Sequence, residues 1–95
     1  MAYSRKIVLH TPNGVRGVEE VARRFIEDGV AFVACVGTDC EAVEDLIDWL
    51  AVEAGSPERN FILTSSHAGE SVEEAIEFAK SLSGEYEGEV QVVQL

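Results

Sequence analysis

The stretch from Val30 to Cys40, VAFVACVGTDC, constrains the fold more than any other part of the chain. Its first seven residues form an unbroken apolar run rich in β-branched and aromatic side chains, a pattern typical of a strand that helices cover on both faces. Gly37 ends the run, and Thr38 and Glu41 have the spacing of a capping box. The stretch therefore predicts an interior strand of a parallel sheet, a tight turn and a helix N-terminus.

Strand-like and helix-like patterns alternate along the rest of the chain. Short apolar runs predict strands, and apolar residues spaced three and four apart predict helices between them. In chain order, the predicted elements are a strand at Arg5–His10, a helix from Val18 to a cap at Gly29, the strand at Val30–Val36, a helix from Thr38 to Gly55-Ser56-Pro57, a strand at Asn60–Ser65, a helix that opens with a Ser71–Glu74 capping box and closes at Gly84, and a last strand at Glu89–Leu95.

The order βαβαβαβ predicts one α/β domain over residues 1–95, in which three layers, α/β/α, surround a four-stranded, mainly parallel sheet. Two strand orders fit this pattern. The preferred one is 2-1-3-4, a truncated flavodoxin-like arrangement, and the alternative is 3-2-1-4, which is Rossmann-like. The continuous apolarity of the second strand favours the alternative, whereas the period-two pattern of the last strand predicts an edge position in both.

Composition excludes several classes of function. Seven basic and eighteen acidic residues give a formal net charge of −11, so nucleic acids and anionic membrane surfaces would be repelled. No apolar run approaches the ~20 residues that span a bilayer, and two cysteines without a signal peptide argue against a disulfide framework. We therefore expect a cytoplasmic protein whose partner is a small-molecule ligand or a basic protein.

Polar residues cluster where the first three strands end. Because ligands of parallel sheets bind beyond the carboxyl ends of the strands, these loops are the predicted site. The candidate ligand-binding residues are Thr11, Asn13, Thr38, Asp39, Thr64, Ser65 and Ser66, and the candidate catalytic residues are His10, Cys40 and His67.

Cys40 is the candidate nucleophile, because the first turn of a helix stabilises a thiolate. Asp39, Glu41 and Glu44 oppose this effect by favouring the neutral thiol, and Cys35 is expected in the core. A zinc site built from His10, Asp39, Cys40 and His67 is an alternative, but these residues lack a recognised ligand spacing, and no metal is predicted.

Motifs of several known chemistries are absent from the sequence. There is no G-x-G-x-x-G, P-loop, C-x-x-C or C-x5-R motif, and the acidic residues of a phosphorylatable receiver domain are missing. Trp49 lies at the border of the apolar stripe of its helix. It is expected to cover the edge of the core, with partner binding as the alternative.

Three short motifs resemble a family of small bacterial domains of unknown function. The resemblance covers about Val18 to Leu82 and rests on Gly37-x-Asp39-Cys40, Thr64-x-x-His67 with Glu70, and Phe78-Ala79-Lys80. It implies that Asp39, Cys40, Thr64 and His67 form the rim of the family's site, and it brings no activity with it. Val36 and Ser66 stand here where the family has aromatic residues.

Two functional hypotheses follow. The first is a non-enzymatic ligand-binding or regulatory interaction module, which needs no catalytic set. The second is a small cysteine-dependent hydrolase or transferase that uses Cys40 with His67 or His10 as the base. The segment from Val90 to Leu95 has high β-propensity and no charged side chain, so a homodimer that pairs the last strand between two copies is also predicted.

Overall fold

Four parallel strands and three helices make up the described part of the chain. The computed structural model describes residues 3–54, 62–84 and 88–95. The strands are β1 (Lys6–Thr11), β2 (Phe32–Gly37), β3 (Leu63–Ser66) and β4 (Val90–Gln94), and the helices are α1 (Val18–Asp28), α2 (Cys40–Glu53) and α3 (Val72–Lys80). The predicted α/β class and the alternation of strands and helices are confirmed.

The strand order is β3-β2-β1-β4, so the preferred order 2-1-3-4 is wrong and the alternative 3-2-1-4 is observed. The reason lies in the side chains. Positions 32–36 of β2 and 7–9 of β1 are buried, and these strands take the two interior places. β3 is polar and only partly buried, so it lies at one edge, and β4 lies at the other. The expected interior position of β2 and edge position of β4 are confirmed.

The sheet separates two apolar clusters. Ile7, Leu9 and Val33 pack beneath α1 and α2, in what we call the α1/α2 cluster. Val8 and Ala34, one residue along each strand, pack beneath α3 in the α3 cluster. This alternation confirms the three-layer architecture, because successive strand residues point to opposite faces.

The helix N-termini differ from one another. Ser71 Oγ accepts a hydrogen bond from Glu74 N at 3.1 Å and Ser71 N donates one to Glu74 Oε1 at 3.0 Å, so the predicted capping box of α3 is confirmed. The capping box predicted for Thr38 and Glu41 is wrong. α2 begins one residue later, and its N-cap is Asp39, which has a φ of 52° and makes no side-chain cap bond. Thr38 N instead donates to Thr11 O of β1, at 3.1 Å.

Two of the predicted helix ends lie within the described residues, and one of them is confirmed. α1 ends at Gly29, which has a φ of 74° as expected for a left-handed cap. α3 ends at Lys80, earlier than predicted, and Gly84 lies beyond the helix. The predicted stop of α2 at positions 55–57 and the start of the third strand at position 60 lie outside the described residues.

Lys6 joins the sheet to the last turn of α3. Its side chain is 2% exposed, and its Nζ donates to the carbonyl oxygens of Ala79 at 2.7 Å and Leu82 at 3.3 Å. The ammonium thus satisfies carbonyls that a helix C-terminus leaves without intrahelical partners, at the end where the helix dipole favours a cation. The sequence placed Lys6 inside a buried strand without indicating this partner.

Candidate functional site

The loops that follow β1, β2 and β3 all lie at the carboxyl edge of the sheet, because the three strands are parallel. α1, α2 and α3 begin at the same edge. All ten predicted site residues therefore lie at or next to this edge, and the structure distributes them between its two faces.

His10, Ser65 and His67 lie on the α3 face. His10 is level with Val36 in the register of β1 and β2, and His67 N donates to Cys35 O at 2.9 Å, which puts His67 level with Val36 on the other side. The two histidines are thus two strand spacings apart, about 10 Å between Cα atoms. Cys40 packs in the α1/α2 cluster on the opposite face.

His67 is the centre of a hydrogen-bonded network. Its Nε2 lies 2.8 Å from Ser65 Oγ, and its Nδ1 lies 3.2 Å from Glu70 Oε1. The ring is held edge-on to Phe78 of α3, with 5.0 Å between the ring centroids. His67 is 5% exposed, and its site is therefore almost closed to water. Both ring nitrogens have polar partners, as is usual for buried polar groups.

The donors and acceptors of this network can be assigned from its chemistry. An ionised Glu70 carboxylate can only accept, so Nδ1 of His67 carries the proton and donates it. In the neutral ring Nε2 is then an acceptor, and the Ser65 hydroxyl donates to it. The result is a serine hydroxyl on a histidine that a carboxylate orients, the same sequence of contacts that activates serine nucleophiles.

The two cysteines are both buried beneath α1 and α2. Cys40 is 3% exposed and Cys35 is fully buried. Burial raises the pKa of the Cys35 thiol far above its ordinary value, and the Glu44 carboxylate, Cys40 and Asp48 raise it further. Burial of Cys40 on the face opposite His67 does not favour its role as a nucleophile.

The loops after β1 and β2 are fitted closely together. A side chain at Gly37 would place its Cβ 2.8 Å from Thr11 O, and one at Gly14 would place its Cβ 3.2 Å from Asp39 Oδ2. Thr11 is fully buried, and its hydroxyl has no partner among the described residues. The predicted ligand-binding residues Asn13, Thr38 and Asp39 are exposed on these loops.

Thr64 connects the rim to the outer face of α2. Its hydroxyl donates to Asp48 Oδ1 at 2.7 Å. The next residue of the helix, Trp49, is 59% exposed, and Val52 is 69% exposed. The expectation that Trp49 covers the edge of the core is therefore wrong, because its ring projects into solvent.

Among residues 3–54, 62–84 and 88–95, no three His, Cys, Asp or Glu side chains form a group that could hold a metal ion. The candidate zinc ligands His10, Asp39, Cys40 and His67 thus do not assemble there. No described helix has the length and apolarity required to cross a membrane.

The sequence indicated no site role for three residues of this region. Glu70 orients His67, Phe78 packs against its ring, and Asp48 binds Thr64. His67 and Glu70 are three residues apart just before a helix, and this spacing could have indicated their contact. The other two contacts depend on which helix covers which face of β3, and that follows from the strand order.

These features define a small parallel α/β domain with a Ser-His-Glu network at its carboxyl edge and an exposed acidic helix beside it. The chain belongs to the family described as the domain of unknown function DUF7684, whose model matches residues 7–95. The resemblance to a small family of unknown function is confirmed, and the match extends beyond the motifs that suggested it. No curated protein and no solved structure matches the chain.

Proposed function

We propose that this domain is a non-enzymatic interaction module that binds a basic partner protein through the outer face of α2. The binding face, which we call the α2 surface, consists of Asp45, Asp48, Trp49 and Val52. The observation that carries the proposal is the exposure of Trp49, at 59%, beside Val52, at 69%. These residues are three apart in a helix, so their side chains are neighbours.

Tryptophan is the side chain that most often dominates binding energy at protein interfaces. Its ring offers a large apolar area with little conformational freedom to lose, and it attracts Arg and Lys side chains through its π face. Asp48, which Thr64 holds by a 2.7 Å hydrogen bond, supplies a fixed carboxylate one helical turn before Val52. The α2 surface thus combines an apolar anchor with carboxylates, which suits a partner that presents Arg or Lys around an apolar pocket.

Charge supports the same class of partner. α2 carries five acidic residues and no basic one, within a chain of formal charge −11. Such a field attracts a basic surface and accelerates its approach, and it repels acidic competitors. The rim gives less support to a small-molecule site, because Ser65, His67 and Thr64 already hydrogen-bond to side chains of the domain.

A peptide titration tests the proposal. Trp49 is the one tryptophan of the chain, so its fluorescence reports directly on the α2 surface. We expect an amphipathic helical peptide of Arg and Leu to shift its emission to shorter wavelength in a saturable way, and the same peptide with Glu in place of Arg to have no effect. Measured by anisotropy of a labelled peptide, Trp49→Ala should weaken binding by about 30-fold, which corresponds to a hot-spot loss of ~2 kcal/mol.

Val15→Ala is the matched control, because Val15 is also an exposed apolar residue, at 46%, and lies on the loop before α1. Its affinity for the peptide should equal that of the unmodified domain. Equal affinities of Trp49→Ala and Val15→Ala would contradict the proposal, since binding would then depend on net charge alone.

The Ser65-His67-Glu70 network favours a second candidate function, ester hydrolysis. In this hypothesis Ser65 Oγ attacks the carbonyl carbon of an ester while Nε2 of His67 takes its proton. The ester C–O bond breaks, His67 protonates the departing alcohol, and water then releases the acid from Ser65. This candidate retains His67 as the base, as in the predicted cysteine-dependent enzyme. Its nucleophile is Ser65, which contacts His67, instead of Cys40.

A fluorophosphonate probe, which labels activated serines, distinguishes this candidate. Labelling should be lost in Ser65→Ala and retained in Ser66→Ala, because neighbouring strand residues point to opposite faces of β3. His67→Gln should also abolish labelling. An unmodified domain that does not label would contradict ester hydrolysis and leave the partner-binding proposal unaffected.

A further inference from the structure

We propose that two copies of this domain form a symmetric homodimer in which their β4 strands pair antiparallel, centred on Val92. β4 hydrogen-bonds to β1 along one side, and none of the described strands pairs with its other side. An open strand edge presents unpaired backbone groups that a second chain can bind. The proposal concerns the edge opposite β3 and α2, so it is independent of the partner-binding function.

The register of β4 determines which backbone groups are open. Leu95 N donates to His10 O of β1, at 3.1 Å. In a parallel pair alternate residues bond to the same neighbour, so the N–H and C=O groups of Val93 and Gln91 also point to β1. Those of Val90, Val92 and Gln94 therefore point away from β1, to the open edge.

This set of open groups is complementary to itself. If Val92 lies opposite Val92 of a second copy, Val90 lies opposite Gln94 in both directions. Each of these three facing pairs can exchange two backbone hydrogen bonds, which is the narrow pairing of an antiparallel ladder. A two-fold axis through the Val92 pair then relates the copies, as the commonest homodimers require.

The side chains of β4 give a second reason. Val92 is 46% exposed, and an open groove of about 430 Å³ lies beside it, lined by Ile76, Lys80, Gly88, Glu89, Val90 and Val92. α3 thus leaves Val90 and Val92, whose side chains point to its face of the sheet, partly uncovered. Because the proposed axis is perpendicular to the sheet, both α3 helices lie on the same face, and the two Val92 side chains become cross-strand neighbours between them.

Charge selects a second copy as the occupant of this edge. From Val90 to Gln94 the strand has no ionisable side chain, although the chain as a whole carries a formal charge of −11. A neutral, self-complementary strip is where two copies of so acidic a molecule can meet with the least repulsion. Added salt should therefore strengthen the association, because it screens the remaining repulsion between the copies.

Disulfide trapping tests both the dimer and its register. In the proposed ladder the two Val92 Cα atoms are about 5.5 Å apart, a distance that a disulfide can bridge, whereas two Gln94 residues are separated by four residue steps, roughly 13 Å. Val92→Cys should form a covalent dimer under mild oxidation, and Gln94→Cys should not. The native Cys35 and Cys40 are buried and do not interfere.

Sedimentation of the full chain provides the second measurement. We expect a dimer at micromolar concentration that becomes a monomer in Val92→Lys and stays a dimer in Val15→Lys, since Val15 has the same 46% exposure and lies away from β4. A strict monomer at high micromolar concentration in moderate salt would overturn the proposal. So would equal trapping of Val92→Cys and Gln94→Cys. The peptide affinity of the α2 surface should be the same in all of these variants.

Discussion

A single buried ammonium links the first strand to the last helix of the domain. The Nζ atom of Lys6 donates to Ala79 O and Leu82 O, and the apolar part of its side chain fills the space between β1 and α3. We expect Lys6→Met to lower the free energy of unfolding by about 1–3 kcal/mol, because methionine retains the apolar stem and removes both hydrogen bonds that Nζ donates.

Urea denaturation monitored by circular dichroism measures this change, and Lys80→Met is its control. Lys80 is exposed and lies 3.9 Å from Glu77, and an exposed pair of that kind contributes little to stability. If the two variants lose equal stability, the buried hydrogen bonds of Lys6 are not a source of stability.

The Cys35 thiol gives the domain a predictable response to alkaline pH. Burial raises its pKa in the folded state, whereas in the unfolded chain the thiol ionises near its ordinary value of 9.0. The unfolded chain then binds fewer protons than the folded one, so stability is fully present below pH 9 and declines above it, by up to about 1.4 kcal/mol per pH unit.

Unfolding curves between pH 7 and pH 10 measure this decline, with Cys35→Ala for comparison. The variant is less stable at every pH, but it should lack the part of the slope that comes from the thiol. Parallel curves for the two proteins would mean that Cys35 ionises equally well in the folded state.

At the scale of elements, α2 and α3 begin in different ways. Ser71 exchanges two hydrogen bonds with Glu74 at the start of α3, whereas Thr38 makes no cap bond at the start of α2. We expect Ser71→Ala to cost about 1 kcal/mol of unfolding free energy, as the loss of an N-cap usually does, and Thr38→Ala to cost only a few tenths of that. Thermal or urea unfolding of the two variants, each with one hydroxyl removed, makes the comparison. A larger loss in Thr38→Ala would mean that its hydroxyl caps α2 in solution.

The elements were predictable because each has a local signal, and their arrangement was less so. Apolar periodicity located the helices and the interior strand, and glycine located the end of α1. The strand order needed a comparison of whole strands, since it depends on β3 being more polar than β1. Local patterns also could not show how the loops after β1 and β2 contact each other. For this reason the sequence indicated a capping box at Thr38, whose backbone N–H binds Thr11 O across the sheet.

The candidate site was predictable in position but not in its pairings. His10 and His67 lie at the expected carboxyl edge, because parallel strands bring their ends together. Which side chains touch there depends on the face to which each one points. Cys40 and His67 are both at this edge, yet the sheet separates them, and His67 binds Ser65 and Glu70 instead.

For the whole molecule, the dominant electrostatic property is an excess of negative charge. Three exposed ion pairs lie within the described residues, namely Arg23–Glu19, Arg24–Glu20 and Lys80–Glu77, and the chain has a formal charge of −11. Exposed helix pairs contribute only about 0.3–0.5 kcal/mol each, so mutual repulsion of the carboxylates should be the larger effect.

We therefore expect salt to stabilise the domain. Raising NaCl from low concentration to about 0.5 M shortens the range of the repulsion and should raise the free energy of unfolding in urea by on the order of 1 kcal/mol. Measurements on Val92→Lys separate this effect from any contribution of dimerisation. A loss of stability with salt would show that the ion pairs outweigh the repulsion.

The parallel pairing of β1 with β4 also determines the order in which the sheet can be completed during synthesis. Lys6 is level with Val90, so one side of the central strand stays without its partner until nearly all of the described chain has emerged. β1, α1 and β2 can associate long before that, and the buried residues of β1 then line an exposed edge. A nascent chain is thus most prone to aggregation along β1, whereas the finished domain presents the neutral edge of β4.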